Sequence, residues 1–240
     1  MFNINDRVLF WEQGTPHRGR VTSVEPRVRR VVTDTGRRFR VPVRKLKRSP
    51  DRVLILETRL DRSLRSAREY APMMRQWLRA YSVEAVHEKV HTVEDMRRFL
   101  QREGKNVATR IIHVMGHGQD DPGAGSATFS LTFEDLHLVD QVEVFRGLEG
   151  KIIIFSCCEV GADQKAMKKV KEASGAAGVI GYRVAVHDWY TNLAEVMLYD
   201  RLINSSCSPQ SAVRLVNGAL KALGTQVHDR IVRKPVLVCY

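Results

Sequence analysis

The chain of 240 residues is long enough for one sizeable domain and a small module. The sequence argues against a protein with a transmembrane helix and against a small protein stabilised by disulfides. No apolar run approaches the roughly 20 residues of a transmembrane helix, and four cysteines are too few for a disulfide framework. We therefore expect a cytoplasmic protein with reduced thiols, no signal peptide and no membrane partner.

The net charge of +12 is concentrated at one end, because residues 1–50 hold 13 Lys and Arg against four Asp and Glu. Short β-prone runs separated by turn signals predict a small all-β, barrel-like module over residues 1–50, closed by a linker at 45–50. A basic module of this kind is expected to bind an acidic protein surface or, weakly, nucleic acid. The sequence contains no recognised nucleic-acid-binding motif beside this charge. The arginines expected to form one basic patch on a hairpin are Arg27, Arg29, Arg30, Arg37, Arg38 and Arg40.

Residues 51–240 alternate between strand and helix patterns. This alternation predicts an α/β domain in which a mostly parallel sheet lies between two layers of helices. The predicted strands cover 53–57, 83–90, 109–115, 152–155, 178–182 and 236–240. The predicted helices cover 63–81, 93–102, 133–139, 162–173, 189–203 and 209–223.

Two of these predicted strands are followed by residues with reactive side chains. The run 151–161, KIIIFSCCEVG, changes from buried-strand residues to two cysteines, and the run 109–118, TRIIHVMGHG, ends in His117 and Gly118. The carboxyl ends of strands in open α/β sheets carry function. If the two strands are neighbours, a thiol and an imidazole meet, as nucleophilic catalysis by cysteine requires.

Cys158 is the predicted nucleophile and His117 the predicted general base. A thiol is reactive as thiolate, which a nearby imidazole and the N-terminus of a helix starting near Ala162 would both favour. The backbone N–H groups of Gly118 and Cys158 are the expected oxyanion hole. The alternative for a cysteine at a strand end is an inert, buried hydrophobe.

The pair of motifs resembles the caspase-like cysteine peptidases of the caspase, gingipain and separase group. Within this group residues 52–240 are most similar to CHAT domains, which carry His-Gly after one strand and Ser-x-Cys-Glu-x-Gly after the next. The matching residues here are His117 and Gly118, followed by Ser156, Cys158, Glu159 and Gly161. Metacaspases, in which the second of two adjacent cysteines is the nucleophile, also select Cys158.

The resemblance implies a caspase-like cysteine endopeptidase that needs no cofactor and cleaves a specific protein partner, in bacterial stress or antiviral defence. A different class of function stays open, namely a catalytically silent caspase-like scaffold joined to a basic nucleic-acid-binding module. The residues expected to line the substrate pocket are Ser156, Glu159, Asp163 and Asp188. The three acidic residues favour a basic residue before the cleaved bond, whereas Ser156 adds a hydroxyl without charge. N-capping of the helix that follows is the simpler role for Asp188.

The other histidines are interpreted first as structural. His113 is expected to be packed inside the domain, whereas His137, His187 and His228 lie beside charged residues and are expected at the surface. A zinc site formed by His113, His117 and the cysteines is the rival chemistry. Its spacing is unfavourable, because side chains four residues apart on a strand are separated by about 13 Å.

Overall fold

The computed structural model describes residues 1–33, 35–49, 52–61, 69–81, 83–121, 126–204, 207–223 and 234–240. These residues form a five-stranded antiparallel sheet at the N-terminus, followed by an α/β unit with a six-stranded and a three-stranded sheet. Within the described ranges, no helix is both long enough and apolar enough to cross a membrane.

The N-terminal sheet has the strand order β4-β3-β2-β1-β5. A two-residue turn joins β1 to β2 at Gln13 and Gly14, whose φ angles of 49° and 80° suit a tight hairpin. The strand bounds are Arg7–Glu12 (β1), Thr15–Val24 (β2), Val28–Thr33 (β3), Arg38–Pro42 (β4) and Lys47–Arg48 (β5). One side of the sheet encloses its own apolar core of Val8, Phe10, Val21, Val31, Val41 and Leu46.

Two expectations for this region need correction. Part of the predicted linker at 45–50 belongs to the N-terminal sheet, because Leu46 is buried in its core and Lys47–Arg48 pairs with β1. Arg29 does not belong to the basic patch. It is 4% exposed, and its guanidinium donates to backbone carbonyl groups, including that of Phe2 at 2.8 Å.

The six-stranded sheet has the order β14-β13-β12-β8-β6-β7, in which only β14 is antiparallel to its neighbour. The chain order therefore reverses between β6 and β8, and in open α/β sheets the crevice at such a reversal binds ligands. The bounds are Arg52–Glu57 (β6), Glu84–Lys89 (β7), Thr109–Met115 (β8), Ile152–Ser156 (β12), Gly178–Tyr182 (β13) and Leu237–Cys239 (β14).

Side chains along the central strands alternate between two apolar clusters, one on each face of the sheet. Leu54 and Leu56 join the cluster that contains α2 and α3, whereas Val53 and Ile55 join the cluster that contains α1, α4 and α5. This arrangement confirms the predicted three-layer α/β class with a mostly parallel sheet. The helix bounds are Ala71–Ala80 (α1), Val93–Gly104 (α2), Gln164–Ser174 (α3), Asp188–Asn204 (α4) and Pro209–Ala222 (α5). Of the predicted helix at 63–81, residues 63–68 lie outside the described residues.

The helix predicted at 133–139 is wrong. Leu136 and Leu138 are fully buried and alternate with exposed residues, which is the two-residue period of a strand. Asp135–His137 is instead the third strand of a separate antiparallel sheet of order β11-β10-β9. The strands of this sheet are His117–Asp121 (β9), Ser126–Ser130 (β10) and Asp135–His137 (β11).

A buried carboxylate at the end of β6 anchors the start of α1. Glu57 is fully buried, and its Oε1 accepts the backbone N–H groups of Tyr70 at 2.8 Å and Ala71 at 3.2 Å. Its Oε2 lies 2.9 Å from His87 Nε2 and 2.8 Å from Lys89 Nζ. Burial acts to raise the pKa of Glu57, but the contacts with His87, Lys89 and Tyr70 outweigh it and lower the pKa to about 2.

We expect Glu57→Gln to destabilise the protein by about 3 kcal/mol at pH 7, because the carboxylate is bound more favourably in the folded than in the unfolded chain. A carboxyl group with a lowered folded pKa contributes this stability above the unfolded value of 4.5 and loses it as the pH falls towards 2. Urea unfolding at pH 7 and pH 3 measures the difference. Glu94→Gln, which affects an exposed ion pair with Arg97, is the matched control and should be nearly neutral. A deficit in Glu57→Gln that is equal at both pH values would contradict this assignment.

Candidate active site

A small cleft of about 90 Å³ lies at the carboxyl ends of the central strands. It forms there because β8 and β12 pair in parallel with Met115 opposite Ser156. His117 and Cys158 each follow that pair by two residues, so the register brings both to the same edge of the sheet. The residues that line the cleft are Leu60, Tyr70, Met115, Gly116, His117, Ser156, Cys157, Cys158, Val186, Asp188 and Thr191.

A backbone carbonyl orients the imidazole of His117. Nε2 lies 2.9 Å from the carbonyl oxygen of Leu60, in the segment that follows β6. Because a carbonyl oxygen only accepts hydrogen bonds, Nε2 carries the proton. The neutral ring therefore presents Nδ1 as its unprotonated nitrogen, and this atom is able to accept a proton from a nucleophile.

The thiol of Cys158 is partly exposed and is held by the segment that leads into α4. The backbone N–H of Val186 donates to Sγ at 3.4 Å, and Sγ lies 3.7 Å from the carbonyl oxygen of Val186. Within the described ranges, the backbone N–H of Cys158 donates no hydrogen bond.

The neighbouring thiol differs in every respect that matters for reactivity. Cys157 is 3% exposed and belongs to the apolar cluster on the α2 and α3 side of the sheet. Burial raises the pKa of the Cys157 thiol well above its ordinary value. Gly118 makes room for this packing, because an added Cβ would lie 2.9 Å from Cys157 Sγ and 2.9 Å from the carbonyl oxygen of Cys158.

Of the four residues predicted for the substrate pocket, Ser156 and Asp188 line the cleft, whereas Glu159 and Asp163 do not. Asp163 has a different role. One carboxylate oxygen caps α3 by accepting from Ala166 N at 2.9 Å, and the other accepts from Ala127 N at 3.0 Å. The helix α3 begins at Gln164, two residues later than the predicted start at residue 162.

Asp188 is not the N-cap of α4. The helix begins at Asp188, and the carbonyl oxygen of His187 accepts the N–H groups of Tyr190 and Thr191. The Asp188 carboxylate accepts a short hydrogen bond from the Tyr70 hydroxyl instead. Tyr70 is in turn fixed through its backbone N–H by Glu57. Its place in the cleft was not predicted, because nothing in its local sequence marks it.

Beneath the cleft lies a fully buried polar cluster. Nδ1 of His113 is 3.0 Å from the Tyr199 hydroxyl, and Nε2 is 3.3 Å from a carboxylate oxygen of Glu195. Tyr182 donates to the other Glu195 oxygen at 3.3 Å. His113 is thus the packed residue that was expected. Among the described residues, no group of three or more His, Cys, Asp or Glu is placed to hold a metal ion.

His137 and His187 are exposed, as predicted, and His228 lies outside the described residues. No sequence pattern indicates the roles of Leu60 and Val186, because both act through backbone atoms.

We expect iodoacetamide to modify Cys158 at least about tenfold faster than Cys157 in the folded protein, since alkylation requires an accessible thiolate. Peptide mapping by mass spectrometry during the first minutes at pH 7.5 measures both rates. In Cys158→Ala, Cys157 should stay unmodified until urea is added. Equal rates for the two thiols would contradict the placement of Cys157 in the core.

No protein-family model and no curated protein matches the chain. Among solved structures, the chain is similar to the crystal structure of the Drosophila initiator caspase Dronc, with 8% sequence identity and a TM-score of 0.49. The match covers 81% of this chain and 80% of that chain.

Proposed function

We propose that the protein is a caspase-like cysteine endopeptidase in which Cys158 is the nucleophile and His117 is the general base and acid. The observation that carries this proposal is the shared cleft, in which the imidazole is held by a third group, the Leu60 carbonyl, as activated nucleophiles require. The contrast between a buried Cys157 and a partly exposed Cys158 supports the choice of nucleophile.

The reaction follows from these groups. Nδ1 of His117 takes the proton of the Cys158 thiol, and the thiolate attacks the carbonyl carbon of the peptide bond. The N–H groups of Cys158 and Gly118 stabilise the negative oxygen that forms. The imidazolium then gives its proton to the leaving amine. A water molecule, deprotonated by His117, hydrolyses the thioester and restores the thiol.

The proposed substrate is a specific protein partner with a basic residue before the cleaved bond. Asp188 supports this preference, because within the described ranges it supplies the one carboxylate among the residues that line the cleft. The exposed arginines Arg37 and Arg38 of the N-terminal module would bind an acidic stretch of the same substrate. A role in bacterial stress or antiviral defence rests on the resemblance to CHAT domains alone.

We expect Cys158→Ala to abolish cleavage of a proteome-derived peptide library, and His117→Ala to slow it at least about 100-fold, because the thiol then lacks its base. Mass spectrometry of new peptide ends measures cleavage even while the substrate is unidentified. Cys207→Ala removes another partly exposed thiol and is the matched control, which should retain wild-type activity.

Cleavage by Cys158→Ala at the wild-type rate would overturn the proposed nucleophile. If the wild-type protein cleaves nothing in the library or in candidate partner proteins, the alternative of a catalytically silent scaffold is favoured.

In a fluorogenic panel with Arg, Lys, Leu or Asp before the cleaved bond, we expect Arg and Lys to be preferred. Asp188→Asn should lower kcat/KM for the Arg peptide by about tenfold or more, since a charge-assisted hydrogen bond contributes about 1.5–3 kcal/mol. The Leu peptide is the internal control, and its kcat/KM should change little in the same variant. A preference for Asp would contradict the proposed role of Asp188.

A further inference from the structure

A second, larger pocket of about 620 Å³ lies beside α5 and β14. It shares no lining residue with the cleft around Cys158. Its volume falls in the range of about 300–1,000 Å³ that is typical of small-molecule sites. Val213 and Leu237 form an apolar part of its wall, and polar groups surround them.

The lining of this pocket is strongly basic. Among the described residues it contains four cations and no carboxylate side chain, and none of the four forms an ion pair. Four unpaired cations around one cavity repel each other, and a ligand with several negative charges would relieve this repulsion. The four residues are Arg183, Arg214, Lys221 and Lys234.

Two lining residues also have buried polar atoms that lack a partner. Asn217 is only 8% exposed, and its Nδ2 donates to the carbonyl oxygen of Leu237 at 2.9 Å. In the part of the chain that the structure describes, Asn217 Oδ1 has no donor and Arg183 Nε has no acceptor. Both atoms are enclosed by protein and not exposed to the pocket, so the four cations alone indicate the charge of its ligand.

We propose that this pocket binds a small molecule that carries several phosphate groups, as a nucleoside triphosphate does. Phosphate oxygens match guanidinium groups in a bidentate manner and ammonium groups as point charges. Three or four negative charges balance the four cations, whereas a single carboxylate would leave most of the repulsion in place.

Two short series of covalent and hydrogen-bonded contacts connect the pocket to the segment around the proposed nucleophile. Arg183 lies three residues before Val186, whose backbone holds the Cys158 thiol. Between them, the carbonyl oxygen of Val184 accepts the N–H of Glu159 at 3.2 Å. On the other side, Tyr240 lines the pocket and donates through its hydroxyl to the carbonyl oxygen of Gly161 at 2.9 Å. We therefore expect a ligand that binds Arg183 to change the reactivity of Cys158.

Gly218, which lies within α5 and lines the pocket, allows a sharp test. A Cβ added there meets nothing within 4 Å, and Glu and Gln both favour a helix more than Gly does. Gly218→Glu and Gly218→Gln should thus both fold. They differ only in the negative charge that the first places in the pocket.

Isothermal titration of the full-length protein with ATP should show binding. The affinity of Gly218→Glu should be at least tenfold weaker than that of Gly218→Gln. Tripolyphosphate, which carries the same chain of phosphates, should also bind, whereas citrate should bind more weakly than ATP. Equal ATP affinity in the two variants would overturn the site, and citrate binding as tight as that of ATP would overturn the phosphate assignment.

A second pair of variants separates this pocket from the basic N-terminal module. Arg214→Gln should weaken ATP binding, whereas Arg38→Gln, which removes the same charge from the module, should leave it unchanged. The reverse result would overturn the assignment.

Saturating ATP should also change the alkylation rate of Cys158, a readout that does not depend on peptidase activity. ATP binding without any change in that rate would overturn the coupling.

Discussion

The parallel pairing of β8 with both of its neighbours is the constraint on which the cleft depends. Adjacent strands are held about 4.8 Å apart by their backbone hydrogen bonds. The carboxyl ends of β6, β8 and β12 therefore present Leu60, His117 and Cys158 side by side, although these residues are far apart in the sequence. Because each strand also contributes side chains to both apolar clusters, a shift of any one strand would disturb both faces of the sheet.

The central strands were predictable because their apolar side chains are visible in the sequence. His117 and Cys158 could be singled out for the same reason, since each would act through its own side chain. The runs at 109–115 and 152–156 are mostly apolar, without strict alternation of polar and apolar residues, which is typical of strands buried on both faces. The second sheet was missed because the spacing of Phe133, Leu136 and Leu138 suits a helix as well as a strand. In the structure Phe133 is exposed, and this burial pattern is a tertiary property that the local spacing does not contain.

The rest of the cleft was not predictable for a different reason. Leu60 and Val186 contribute a carbonyl oxygen and an N–H group, which every residue other than proline possesses. Tyr70 reaches Asp188 across 118 positions of sequence, and its own position depends on the buried carboxylate of Glu57. Contacts of this kind are defined by the packing of distant segments, and a motif of neighbouring residues does not encode them.

The alternation of side chains along a strand has one more consequence for the adjacent cysteines. Cys157 follows Phe155 into the core on one face, and Cys158 emerges on the opposite side. The two thiols are chemically identical, so the opposite directions in which their side chains leave the end of β12 decide which of them is partly exposed. Inserting a single residue within β12 would move Cys157 into the place that Cys158 now occupies, because a shift of one residue turns each side chain to the other face. A pair of adjacent cysteines at this strand end therefore keeps a thiol at the cleft position when the strand is lengthened by one residue.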